Sequence, residues 1–201
     1  SEMCIRDSYK VGCIGKEAFC NCRNIESLVI PHSVKRIDDN AFDGCEKLIK
    51  VTVLYGTEKI GDEAFSGCEN LMSIDLPESI KQIGRGAFEG CSALTMVSLP
   101  SGISNIRRNL FRDCRNLTRV DIPNGVRCID DAAFFGCGNL VRADIPDSVD
   151  MIEQSAFERC SSLREIIVPD SVRFLGGWAF SGCEQADISI SALSLIHISE
   201  P

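Results

Sequence analysis

The apolar residues of this chain fall into long-range columns. Phe19, Phe42, Phe65, Phe88, Phe111, Phe134, Phe157 and Phe180 follow one another at 23-residue intervals without interruption. Three residues after each comes a cysteine: Cys22, Cys45, Cys68, Cys91, Cys114, Cys137, Cys160 and Cys183. A fixed period in this range predicts a solenoid, in which each unit buries its apolar face against its neighbours. Between these marks, Leu71, Ile74 and Leu76 form an L-x-x-I-x-L pattern. The alternation of Ile74 and Leu76 predicts a strand with one buried face. Equivalent pairs recur at Leu28/Ile30, Val51/Val53, Val97/Leu99, Val120/Ile122, Ala143/Ile145 and Ile166/Val168. Stacked one repeat apart, they predict a continuous parallel sheet.

Proline follows most of these strands, at Pro31, Pro77, Pro100, Pro123, Pro146 and Pro169. Lacking an N–H, it stops the ladder and turns the chain. A small residue such as Ser79 or Gly102 comes next, then a second apolar pair such as Val34/Ile37 or Ile80/Ile83. The Ala-Phe pair lies three residues before Cys, a spacing that predicts one helical turn with Phe and Cys facing inward. Such a turn is too short to stand alone, so neighbouring units must hold it. Two units depart from the pattern. Leu54 and Thr57 replace the proline and the apolar residue of the third, and Leu110 replaces the alanine of the fifth. After Cys183 the register slips: Ala186 stands at a leucine position, and Ile188 and Ile190 come one residue early.

The pattern predicts a solenoid over residues 9–190, about eight units with the first and last incomplete. Residues 1–8 and 191–201 fall outside it. Met3–Ser8 and Ser194–Pro201 resemble translated sequencing adapters, as found at the ends of reading frames assembled from mixed DNA, and are set aside as artefactual segments. With no polar capping unit at either end, the repeats read as an interior piece of a longer protein.

Charge and chemistry narrow the function classes. The balance of 21 basic against 29 acidic residues, a net −8, argues against broad binding to nucleic acid or anionic membrane. No apolar run approaches the roughly 20 residues of a membrane span. Eight of the twelve cysteines share the column described above. Stacked about 4.8 Å apart, they are close enough for bridging by distance, but identical rotamers point the same way. They are therefore expected to be buried free thiols acting as small hydrophobes. No histidine pair, nucleophile–base set or phosphate loop is present, so no catalytic, cofactor or metal residue is assigned.

From Leu140 to Cys160 the chain nearly completes the pattern L-x-x-V-x-I-P-x-S-V-x-x-I-G-x-x-A-F-x-G-C, which resembles the BspA-like class of leucine-rich repeat. The resemblance covers about Val11 to Cys183. It implies an α/β repeat solenoid: a right-handed superhelix with a parallel β-sheet on its concave face and short helical turns. It also implies a non-catalytic module for binding another protein or a surface glycan, in a secreted or cell-surface setting. The binding positions would be the outward residues of the concave strands: Lys50, Thr52, Ser73, Asp75, Met96, Ser98, Arg119, Asp121, Arg142, Asp144, Glu165 and Ile167. Opposite charges there also suit a plain solvated face, which suits a spacer or stalk presenting other domains. A third reading is an accessory region of a larger secreted enzyme.

Overall fold

The computed structural model describes residues 11–190 and 197–198. The strands run β1 (Cys13–Ile14), β2 (Ser27–Ile30), β3 (Arg36–Ile37), β4 (Lys50–Val53), β5 (Lys59–Ile60), β6 (Ser73–Asp75), β7 (Gln82–Ile83), β8 (Met96–Ser98) and β9 (Asn105–Ile106). They continue as β10 (Arg119–Asp121), β11 (Cys128–Ile129), β12 (Arg142–Asp144), β13 (Met151–Ile152), β14 (Glu165–Val168), β15 (Phe174–Leu175), β16 (Asp187–Ile190) and β17 (His197–Ile198). Even-numbered strands form a long wall and odd-numbered strands a short wall. Within each wall all pairing is parallel, one repeat apart: Ser27 faces Lys50, Arg119 faces Arg142, and Ile129 faces Ile152. The expected sheet is not continuous. The long wall comprises a ladder of β2, β4 and β6 and a second of β8 to β16.

The third edge of each turn carries Phe and Cys, and here the sequence expectation is corrected. No described residue is helical, so the α/β assignment and its short helical turns give way to a β-solenoid closed by non-helical turns. The reason lies in where the amides point. Ala41, Asp43 and Cys45 donate three residues back, to Asp38, Asn40 and Phe42, while the alternate amides of Asn40, Phe42 and Gly44 donate forward to Asp62, Ala64 and Ser66 of the next turn. A helix would send all of them back four residues. Each turn also holds two left-handed residues. One series runs Glu17, Asn40, Glu63, Gly86, Asn109, Ala132, Ser155, Trp178, and the other Asn21, Gly44, Gly67, Gly90, Asp113, Gly136, Arg159, Gly182. Positive φ at that frequency excludes an α-helix of L-residues.

Phe and Cys do face inward as expected. Phe42 through Phe157 are fully buried, and Phe19 and Phe180, with a neighbour on one side only, are partly so. Successive rings stack with centroids between 5.0 and 5.9 Å apart and planes within 15°. The thiols of Cys45 through Cys183 are free and buried. They are more than small hydrophobes: each donates to the carbonyl of the phenylalanine in the preceding turn, as in Cys91 to Phe65 at 3.2 Å and Cys114 to Phe88 at 3.1 Å. That carbonyl already accepts the amide of its own turn's cysteine, Cys68 for Phe65. The thiol fills its second lone pair in a site closed to water. Burial also pushes the inner thiols of Cys91, Cys114 and Cys137 up, Cys91 to about 12, so these stay protonated.

The irregular units are accommodated locally. Thr57 is fully buried, and its hydroxyl donates to the Val34 carbonyl at 2.8 Å, so the polar group is satisfied. Leu110 takes the buried alanine position. The early Ile188 and Ile190 pair with Ile166 and Val168, so the last long strand closes on a 22-residue interval. Residues 1–10 lie outside the described residues, as do 191–196 and 199–201. Residues 197–198 add the final strand of the short wall.

Three outcomes test this packing. Phe88→Ala should lower unfolding free energy by about 3–5 kcal/mol in urea titrations, because the ring stacks on both neighbours. Gly90→Ala should cost about 1–2 kcal/mol through its left-handed backbone alone, since a Cβ there meets only ordinary contacts. Gly84→Ala should cost more than Gly90→Ala in the same titrations, because its Cβ would overlap the Gly61 carbonyl carbon.

Candidate binding face

Outward positions of the long strands are what the core leaves free. Val51, Ile74, Val97, Val120, Ala143 and Ile166 turn inward, so the residues on either side of each turn out. One-repeat spacing places those outward residues in two columns, with parallel pairing inside each ladder. One runs Lys50, Ser73, Met96, Arg119, Arg142, Glu165, and the other Thr52, Asp75, Ser98, Asp121, Asp144, Ile167. Thr52 and Ser73 are half-buried, and the remaining ten are exposed. The structure thus places all twelve sequence-derived positions on one side of the long wall. It separates them into two groups, because β6 and β8 do not form a ladder.

Charge on this face is paired mainly within strands. Arg119 donates from Nε to Asp121 Oδ1 at 2.8 Å, and Arg142 to Asp144 Oδ1 at 2.6 Å. Asp144 thereby holds the Arg142 guanidinium further toward its charged form. On the other ladder, Asp75 accepts the Thr52 hydroxyl at 3.1 Å and lies 3.9 Å from Lys50 Nζ. All these groups are open to solvent, where such pairs contribute about 0–1 kcal/mol. They organise the face more than they stabilise it. Among them stand exposed apolar side chains: Val29, Met96 and Ile167, each more than half accessible at 60%, 58% and 57%. Beside Ile167 a groove of about 370 Å³ opens, lined by Arg142, Asp144, Asp147, Glu165 and Asp170 among others.

Other features lie off this face. A shallow apolar groove of about 460 Å³ flanks the long wall, between Ile49, Met72, Ala93 and the stem of Lys47. Exposed Ile49 and Met72, one repeat apart, were its only sequence signal. On the turn edge Phe135 lies between two guanidinium groups, Arg112 at 4.5 Å and Arg159 at 5.2 Å from its centroid. Tyr55 is exposed on its own, and Trp178 occupies a left-handed position with φ 57°. Asn116, in an apparent glycosylation sequon, accepts the Asn139 side-chain amide at 3.1 Å beside the buried Leu117.

One cluster has metal-ligand chemistry. Cys128 Sγ and the carboxylates of Asp130 and Glu153 lie within 4.8 Å of one another. Burial and a hydrogen bond to Asp130 push the Cys128 thiol up, so it stays protonated. The first turn has a similar Cys13–Asp38 contact at 3.2 Å, with Arg36 completing it in place of a second carboxylate. Among the described residues, no helix is long and apolar enough to cross a membrane.

Comparison with solved structures finds the same architecture. The chain resembles the leucine-rich repeat protein TpLRR of T. pallidum, with 35% identity and a TM-score of 0.73 over 79% of this chain and 74% of that one. A leucine-rich repeat protein of Eubacterium ventriosum shares the fold, with 20% identity and a TM-score of 0.60 over 82% of this chain and 59% of that one. Comparison with curated proteins gives no match. The profile of the BspA type leucine-rich repeat region matches residues 12–141 and 127–200, in 6 copies. With its Phe–Cys ladder, parallel walls and 23-residue period, the chain belongs to the BspA-type leucine-rich repeat family.

Proposed function

We propose that this leucine-rich repeat scaffold is non-catalytic and binds another protein through the outward face of its long wall, in adhesion or host binding at a cell surface. The observation that carries the reading is the regularity of that face. From β8 to β14 parallel pairing holds the outward side chains in register, with exposed Met96 and Ile167 set among the arginine–aspartate pairs. Apolar anchors within a polar, pre-ordered surface suit protein recognition, because little side-chain freedom remains to be lost on binding. The family resemblance supports the setting, since such repeats serve as interaction modules of surface proteins.

A second reading has its own support. Arg119 and Arg142 are each satisfied by an aspartate of their own strand. A face whose charges are internally paired also suits a spacer that presents neighbouring domains and binds nothing itself.

The two readings separate on an array of host surface and extracellular-matrix proteins, printed beside a glycan array. The binding reading expects capture by at least one printed protein, weakened about tenfold or more by Arg119→Ala combined with Arg142→Ala, with the thermal midpoint nearly unchanged. Equal capture by wild type and double variant would move the site off this face. Silence of the protein array would favour the spacer, and glycan capture alone would reassign the partner.

A further inference from the structure

In a repeating fold the same hydrogen bond recurs in every layer, so a missing one is conspicuous. Three columns of amides link successive turns along the walls. Beside the long wall, Ile49, Met72, Thr118, Val141, Arg164 and Asp187 each donate to the carbonyl one repeat back, but Thr95 does not reach Met72. Entering the short wall, Lys35, Glu58, Lys81, Arg127, Asp150 and Arg173 donate likewise, but Ser104 does not reach Lys81. Leaving it, Asp38, Gly61, Gly84, Asp130, Glu153 and Gly176 donate to the preceding turn, but Arg107 does not reach Ile83. All three gaps fall on one level. There both walls divide, between β6 and β8 and between β7 and β9.

The Phe edge of that level stays closed. Gly86, Phe88 and Gly90 donate to Arg108, Leu110 and Arg112 at 2.9, 3.1 and 2.8 Å. Phe88 and Phe111 stack at 5.6 Å, and the Cys114 thiol reaches the Phe88 carbonyl at 3.1 Å. The Phe edge is shut, while the two walls lack these main-chain links and are bridged at the corner between them by exposed Glu78, whose Oε2 accepts the Ser101 amide at 2.9 Å and hydroxyl at 2.6 Å.

Two residues mark this level. In other layers a serine hydroxyl clamps the corner: Ser79 Oγ accepts the Gly56 amide at 2.9 Å and donates to the Thr57 carbonyl at 2.8 Å. Ser148 does the same for Gly125 and Val126 at 3.0 and 2.7 Å. At the open level that position is Gly102, which has no hydroxyl to offer the Ile80 carbonyl. The second residue is Arg107, in the column of Gly61, Gly84 and Gly176, where the backbones of adjacent turns approach too closely for a Cβ. Arg107 carries one above Gly84, and its Nε is buried without a hydrogen-bond partner. Asp130 also carries a Cβ, and Gly125 also lacks a hydroxyl, yet their layer closes. What sets the open level apart from that one is the Arg107 side chain itself, whose buried and unpartnered Nε has no counterpart at Asp130.

We infer that the solenoid contains a built-in hinge at this level, with the Phe edge as its spine. Two blocks flex about it, one ending with the turn through Gly90 and the other beginning at Met96. The motion opens and closes the walls between Asp75 and Ser98, so it sets the angle between the two halves of the long-wall face.

Amide hydrogen exchange on the whole protein tests the hinge. After correction for intrinsic rates, Thr95, Ser104 and Arg107 should exchange about tenfold or more faster than Thr118, Arg127 and Asp130, their counterparts one repeat on. Phe88 and Gly90, on the spine, should stay protected. Equal protection across the six amides would overturn the hinge, as would loss of protection at Phe88 and Gly90, which would mean the whole level melts. Gly102→Ser combined with Arg107→Gly should slow exchange at Thr95 and Ser104 toward the rates of their counterparts. Unchanged rates in a folded double variant would overturn the cause assigned to these two residues.

Discussion

Alternate amides on the turn edge have no acceptor within their own turn. Asn40, Phe42 and Gly44 can be satisfied only by Asp62, Ala64 and Ser66 of the next layer. An unpaired buried amide costs about 1–3 kcal/mol, so an isolated turn is unfavourable and a stacked one is not. Much else follows from that dependence. Layers must sit in register for the amides to meet, and register superimposes Phe on Phe and Cys on Cys. The left-handed residues of each turn are the backbone's means of aiming alternate N–H groups forward to the next layer. Five of the eight residues in the second left-handed series are glycine, the residue that adopts this conformation most readily.

The same dependence divides the sequence into constrained and free positions. Inward residues answer to two neighbours and vary little, and even the exceptions, Thr57 and Leu110, remain buried. Outward residues of the long wall answer to none. They range from Lys50 through Met96 to Glu165 in a single column, so differences between one stretch of the surface and another reside there. The paired arginines and aspartates fix where the side chains of that surface stand, while Val29, Met96 and Ile167 supply the apolar area that recognition needs.

Much of the architecture was legible because side-chain burial repeats with the sequence. Leu71, Ile74 and Leu76 announced a strand, Pro77 its end, and Phe88 with Cys91 an inward wall. The helical turn was misread because inward spacing of Phe and Cys is shared by a helix and by this non-helical turn. What separates them is the forward hydrogen bond to the next layer, which no single repeat displays. The thiol–carbonyl bond was hidden for the same reason, since Cys91 and Phe65 lie 26 residues apart. On the candidate face, the columns could be read from the strand pattern, but the pairing of Arg119 with Asp121 on its own strand could not. The break between β6 and β8 is subtler again, marked by an absent hydroxyl at Gly102 and by the side chain of Arg107.

The links between layers span fixed intervals: 22 residues for Phe42 to Ala64, 23 for Arg119 to Arg142, and 26 for Cys91 to Phe65. All three close on an adjacent turn, and none reaches further. Duplication of one whole repeat during descent therefore brings in its own complete set of bonds and leaves those on either side intact. A lineage built this way can change its length by recombination, one layer at a time, without redesigning a core. Insertions of any other size must be absorbed at a boundary, as the shortened interval between Ile166 and Ile188 is absorbed at the last long strand.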